Sequence, residues 1–391
     1  MILVIMCLFN CVYGFYEGTL QEDEGYFVET TASVGVPNLN ARAAILYDAT
    51  YGRILYEKNS KQKRANASTT KMITAMVAYE QGNLDDIVTV SQKAANTGGS
   101  TINLKRNDKV TLDGLIKGLL VHSGNDAAVA IAEHISGSVE KFSDLMNEKA
   151  EEIGAKDTHF VTPHGLDEDG HYSTAYDLML IADKLLEIPY LADIVAKRTV
   201  EIKINDYART IGTTNEMLST YNGADGVKTG FTGDAGRCIV TSATQNGRKL
   251  ISVVLGCDTK KNRTLDSVKL LDYGYNAFKE VDLKEYIRDS ICITIEKSEG
   301  GIYRLSKDID FKYPLKDDEI SKIQVKYNVL SDLVAPVNKG ELVGTTEIFF
   351  DNIKIGEIEY TLPENIERKN WKTYFKEILN EKLSSNSFIE L

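Results

Sequence analysis

Ser68-Thr69-Thr70-Lys71-Met72-Ile73-Thr74-Ala75-Met76-Val77 sets a serine and a lysine three residues apart at the start of an apolar helix. Met72, Ile73, Met76 and Val77 recur at helical spacing, so the segment predicts a buried helix that opens on Ser68. At i,i+3 the two polar side chains lie on one face, within reach of each other. Two further polar triplets follow in order. Ser123-Gly124-Asn125 interrupts helices, ending the stripe Leu112, Leu115, Ile116, Leu119, Leu120 and preceding an Ala-rich helix over 127–135. Lys228-Thr229-Gly230 precedes Phe231 and two strand-like runs, Cys238 to Ala243 and Leu250 to Leu255. Each triplet alone is common; their order and setting give them meaning.

Working outward, Ala43 to Ala49 and Arg53 to Glu57 read as strands joined by a Thr50-Tyr51-Gly52 hairpin. Phe142 to Ile153 reads as another helix, and Leu265, Val268, Leu271, Tyr275 and Phe278 mark a late one. Strands at both ends with helices between them predict an α+β domain, its one sheet assembled from distant segments. The pattern changes near Glu280. Ile323, Val325, Tyr327 and Val329 alternate with polar residues, and Asp351-Asn352 marks a tight turn, so a small β domain follows. The last segment regains helical spacing, with Trp371, Tyr374, Phe375, Ile378 and Leu379 on one face and Lys372, Lys376 and Lys382 outside it. Such a helix either lies in a membrane interface or packs on its own domain or an oligomer. The expected division is leader and spacer 1–36, α+β domain carrying the three triplets 37–280, β domain 281–363 and amphipathic helix 364–391.

The chain has 391 residues and a formal net charge of −12. No basic stripe is available to neutralise phosphates, which excludes nucleic acid as a partner. The apolar run over 1–14 has the length of a secretory signal core and is too short to span a bilayer, although no positive charge precedes it; a buried apolar strand is the alternative. Cys238, Cys257 and Cys292 sit in strand-like runs and read as buried free thiols. No Cys-x-x-Cys occurs, and His122, His134, His159, His164 and His171 show no metal-ligand spacing, so no metal and no cofactor is expected. Asp167, Glu168 and Asp169 read as a solvated loop.

Serine is a weak nucleophile until a base takes its proton. Lys71, held among apolar side chains and near a second cation, loses part of its preference for charge and can serve as that base. Ser68 at a helix start also offers its backbone N–H to a developing oxyanion. Ser123 can relay a proton to a leaving amine, and Asn125 can bond both a substrate amide and Lys71. Lys228 supplies positive charge, Thr229 a hydroxyl, and Gly230 room for a substrate backbone beside a strand. Arg263, at the start of the late helix, could meet a substrate carboxylate or merely cap structure.

Together these residues resemble the active site of the low-molecular-mass penicillin-binding proteins, specifically the D-alanyl-D-alanine carboxypeptidases of serine peptidase family S11. Thr158 to Gly170, Asn222 to Thr232 and Ala335 to Gly344 also resemble family stretches, and the likeness spans roughly residues 37 to 363. It implies a β-lactamase/transpeptidase-like domain, a β-sandwich and a C-terminal helix serving as membrane anchor. It further implies that Ser68 attacks the bond between the terminal D-alanines of peptidoglycan stem peptides, and that β-lactam antibiotics acylate the same serine. The backbone N–H groups of Ser68 and Phe231 would form the oxyanion hole, and Lys228, Thr229 and Arg263 would hold the terminal carboxylate. The protein would act outside the cytoplasm, secreted or on the outer face of the bacterial cytoplasmic membrane.

Two departures stand out. Phe231 replaces the histidine that follows Lys-Thr-Gly in relatives, and Thr214 stands where some carry arginine. Alternatives are a class A β-lactamase, a small-ester hydrolase, and a non-hydrolytic β-lactam sensor or cell-wall scaffold. The first expects Ser-Asp-Asn and an activating glutamate; Gly124 occupies the middle position and no such glutamate loop is evident.

Overall fold

The computed structural model describes residues 35–386, so the expected leader falls outside the described residues apart from its last two. The larger domain is built on a five-stranded antiparallel sheet in the spatial order Arg53–Lys58, Ala43–Asp48, Arg248–Cys257, Gly236–Gln245, Ala224–Thr232. As expected, its strands come from both ends of the domain. The first hairpin closes through Asp48, whose Oδ1 accepts from the N–H groups of Thr50 and Tyr51, and through Gly52 at φ 66°.

Helix Lys260–Ala277 covers one face of the sheet, burying Val268, Leu270 and Leu271. The helical half covers the other. There Lys71–Gln81 is buried along its first eight residues, enclosed by Leu112–Val121, Asn125–Ser136, Val139–Ile153 and Ala175–Leu186. Several features lay outside the sequence reading, two of them large. One is helix Ala175–Leu186. The other is a four-stranded sheet, Ile87–Thr89, Lys109–Thr111, Thr199–Ile204, Tyr207–Gly212, whose longest strands bury only Val200, Ile202 and Ile211.

The third triplet precedes the strands Gly236–Gln245 and Arg248–Cys257, as expected, and itself lies within the edge strand Ala224–Thr232. Cysteine burial is corrected. Cys238 and Cys257 are buried, but Cys292 faces solvent, because its strand Ser290–Glu296 buries only alternate residues.

The β domain contains the expected hairpin. Leu342–Phe350 pairs with Ile353–Thr361 through Asp351 and Asn352, both at positive φ as a two-residue turn of this hand requires. The boundary expected at 280/281 falls inside strand Lys279–Asp282, which pairs with Lys312–Leu315. The last helix, Trp371–Asn386, leaves Trp371, Tyr374, Phe375, Ile378 and Leu379 exposed. Among the described residues no helix is long and apolar enough to cross a membrane.

Candidate active site

Ser68 rides on a 3-10 turn, Ala67–Thr70, that enters the buried helix. Polar bonds fix this turn. Asn66 Nδ2 donates to Thr70 Oγ1 at 2.9 Å, and Thr70 Oγ1 donates to Ala67 O at 2.9 Å. His171 completes the set from a distant loop. Its Nδ1 accepts from the Val161 N–H at 3.0 Å, so Nε2 carries the ring proton and donates to Thr70 Oγ1 at 2.9 Å. Burial holds His171 neutral, its pKa pushed down to about 4. Within Asn66–Lys71 only Ser68 retains partial exposure.

Lys71 is wholly buried. Its Nζ lies 2.8 Å from Ser68 Oγ, 2.7 Å from Asn125 Oδ1 and 2.6 Å from the His164 carbonyl oxygen. Burial, and then the neighbouring Lys228 charge, hold its pKa well below the ordinary lysine value, with Asp126 opposing. Two of these oxygens, on Ser68 and Asn125, are partners the sequence reading expected; the third, the His164 carbonyl, has no side-chain signal. The glycine at 165 is the nearest trace: a Cβ there would meet Ala67 O at 2.0 Å, so this loop presses its backbone on the Ser68 turn.

Ser123 and Asn125 occupy the expected turn between helices. Asn125 is oriented by its Nδ2 bond to Gly98 O at 2.7 Å, which points Oδ1 at Lys71. Ser123 has φ 66°, a backbone that directs its hydroxyl at Lys228 Nζ, 2.9 Å away. Gly124 is packed so that a Cβ would meet Asp126 Oδ1 at 2.9 Å, which disfavours the aspartate of a class A β-lactamase at this position.

Lys228 also donates to Thr229 O at 3.0 Å, and its side chain is buried. Burial, and then the Arg263 charge, bring its pKa down to about 7. Thr229 Oγ1 lies 2.7 Å from Thr214 Oγ1. At Gly230 a Cβ would sit 3.0 Å from both Ala67 Cβ and Ser68 N, so the glycine lets the Ser68 turn pack closely against this strand. Phe231 follows, 54% exposed as a residue, with the Arg237 guanidinium 3.6 Å from its ring centroid.

Arg263 is not brought into the open cleft. It is buried and ion-paired with Glu216, which also accepts from Thr264 Oγ1. Burial raises the Glu216 pKa, but Arg263 and Thr264 outweigh it and hold the carboxyl ionised. Glu216, Arg237 and the His164 carbonyl are the neighbours that sequence reasoning missed.

The assembly places a hydroxyl, a buried amine and a second cation around one partly open serine, the equipment for acyl transfer. Comparison with known proteins agrees in both domains. The family profile described as D-alanyl-D-alanine carboxypeptidase matches residues 30–259, and that of the penicillin-binding protein 5 C-terminal domain matches 293–368. The D-alanyl-D-alanine carboxypeptidase DacF of Bacillus subtilis is 32% identical over 348 residues, 87% of this chain and 90% of its own. DacA of Escherichia coli is 33% identical over 350 residues, 86% of each chain. Penicillin-binding protein 5 of Haemophilus influenzae superposes with a TM-score of 0.69 at 31% identity, covering 86% of this chain and all 100% of that one. Two domains matched in the same order, at this identity and coverage, show that the chain belongs to the D-alanyl-D-alanine carboxypeptidase family of serine peptidases.

Proposed function

We propose that this protein is a serine D-Ala-D-Ala carboxypeptidase that trims the terminal D-alanine from peptidoglycan stem pentapeptides and is acylated by β-lactams. The observation that carries the reading is the environment of Lys71. As an ammonium it donates to all three of its oxygens. As a neutral amine it keeps two N–H groups. Asn125 Oδ1 and His164 O can only accept, so the lone pair turns to Ser68, whose hydroxyl then donates to it. The fixed carbonyls thus aim the base.

Ser68 Oγ attacks the scissile carbonyl as its proton passes to Lys71. The N–H groups of Ser68 and Phe231 receive the oxyanion; loss of one such donor typically costs about 100- to 1,000-fold. Ser123 Oγ accepts from Lys228, which leaves its own proton free for the departing amine of D-alanine. The C–N bond breaks, and water delivered through Lys71 hydrolyses the acyl-Ser68 ester. Lys228 and Thr229 attract the terminal carboxylate, with Arg263 adding charge from behind its pair with Glu216. Substrate and setting place the protein outside the cytoplasm, and the exposed apolar face of Trp371–Asn386 supports attachment to a membrane surface.

Mass spectrometry of the penicillin-treated protein, paired with assay of D-alanine release from a stem pentapeptide, tests this reading. The expected result is a penicilloyl adduct on Ser68, absent in Ser68→Ala, together with D-alanine release. A lasting adduct without release would identify a β-lactam sensor instead; no adduct on folded protein would overturn the reading.

A further inference from the structure

The carboxylate end of the cleft is short of open positive charge. Arg263 is buried against Glu216, and position 214 is a threonine. Lys228 already gives two of its three N–H groups to Ser123 and Thr229. One further cation stands there. Arg237 is the second residue of the strand after the Lys-Thr-Gly strand and the direct cross-strand partner of Phe231, while Thr229 pairs with Ile239. Residues directly opposite, and those two apart, share one face of an antiparallel pair. Arg237, Phe231 and Thr229 therefore lie on the same face, with Phe231 and Thr229 roughly 7 Å apart along the strand.

The guanidinium lies 3.6 Å from the Phe231 ring centroid, and it is half-buried. Stacking fixes its plane and leaves its N–H edge outward. Among the described residues no carboxylate forms an ion pair with it. An arginine held flat, without an internal acid, on the same sheet face as the Thr229 hydroxyl matches the two oxygens of a carboxylate.

We infer that Arg237, clamped on Phe231, is a carboxylate-binding residue that receives the C-terminal carboxylate of the peptide substrate. Phe231 acts through it as a positioning residue. The inference rests on the carboxypeptidase reading and adds to it the source of its selectivity for a free terminal carboxylate.

The experiment compares kcat/KM for diacetyl-L-Lys-D-Ala-D-Ala with that for the same peptide as its C-terminal carboxamide. The Lys side chain is blocked, so the terminal carboxylate is the sole difference in charge. Arg237→Gln is expected to lower the carboxylate-to-carboxamide ratio by roughly tenfold or more, as loss of a hydrogen bond to a charged group does. Arg237→Lys, which keeps charge but loses the fork, should recover part of it. An unchanged ratio in Arg237→Gln overturns the inference. A second measurement avoids any change at Arg237. In Ser68→Ala protein, the carboxylate peptide should shield Arg237 from phenylglyoxal, read by peptide mass mapping, and the carboxamide should not. Equal labelling with both peptides also overturns it. Wild-type protein that releases no D-alanine overturns the carboxypeptidase reading and this inference together, whereas release with an unchanged ratio sinks the inference alone.

Discussion

Lys228 Nζ stands 2.9 Å from Ser123 Oγ, two buried side chains from separate halves of the domain joined across the cleft. In the proposed mechanism this contact links proton relay to carboxylate binding, since one ammonium serves both. With a pKa near 7, Lys228 loses its charge on the alkaline side. Lys71 is needed neutral and so limits activity on the acid side. Because the two cations interact, the observed values belong to the pair.

A bell-shaped kcat/KM profile is therefore expected, with its alkaline limb starting near pH 7. Lys228→Arg should move that limb upward, because guanidinium does not titrate in this range. Stopped assays from pH 5 to pH 10 would check both. A flat profile above pH 7 in the wild type would remove Lys228 titration as its cause.

His171 and His164 give the fold a pH dependence of their own. Burial pushes their pKa values down to about 4 and about 3, below the model-peptide value near 6.5. Between the folded and unfolded values the unfolded chain binds more protons, so stability rises with pH there and is lost as pH falls below about 6.5. Each proton contributes a slope of up to roughly 1.4 kcal/mol per pH unit. Tm should fall between pH 7 and pH 5, and His171→Gln should shrink that difference while lowering Tm at pH 7. An unchanged difference in the variant would assign the acid loss to other groups.

Gly165 and Gly230 press on the nucleophile turn from two sides. At Gly165 a Cβ would meet the Ala67 carbonyl oxygen at 2.0 Å on a backbone of φ 81°, so Gly165→Ala must displace the loop that carries the His164 carbonyl. At Gly230 the nearest approach is 3.0 Å, and the turn need give only a little. Penicillin acylation is expected to drop about 100-fold or more in Gly165→Ala, within the range for a displaced general base. Gly230→Ala should lose less and retain its melting temperature. Equal rates in the two variants would contradict this ordering.

The same contrast explains what the sequence made legible. Ser68, Lys71, Ser123, Asn125 and Lys228 were readable because polar residues interrupted apolar helices at short, fixed spacings. The main sheet and the 351–352 hairpin were readable from apolar runs and turn chemistry. The His164 carbonyl was not, since a backbone oxygen carries no residue signature. Glu216 and Arg263 are far apart in sequence, so only the fold shows that the arginine is already paired. Thr199–Ile204 did alternate in burial, but it lies in a small sheet at the rim and offers only two fully buried positions. Cys292 was misplaced because an apolar neighbourhood in sequence does not say which face of a strand a residue takes.

The terminal helix makes a prediction about lipid. Its five exposed apolar residues favour insertion at an interface, whereas five lysines and arginines over 364–391 are matched by five glutamates. Binding to vesicles should therefore persist with zwitterionic lipid and at high salt. Trp371→Glu combined with Phe375→Glu should abolish co-sedimentation without touching D-alanine release. Binding that needs anionic lipid, or survives the double change, would point to a different contact.

Arg53 joins the two domains. Its Nη2 lies 2.8 Å from both carboxylate oxygens of Glu319, and its guanidinium sits 4.3 Å over Phe350, 5.1 Å over Phe278 and 5.4 Å over Tyr313. It also donates to Pro314 O. The arginine belongs to the catalytic sheet, whereas Glu319, Tyr313 and Phe350 belong to the β domain. Removing one member of a buried pair strands the other charge, at a cost of about 3–5 kcal/mol. Arg53→Ala should thus melt the β domain ahead of the catalytic one, seen as a second calorimetric transition, while Ser68 still acylates at low temperature. Arg53→Met with Glu319→Gln removes both charges and should recover most of the loss. A single unshifted transition in Arg53→Ala would show that the apolar contacts around Ile348 and Phe350 hold the domains together without the ion pair.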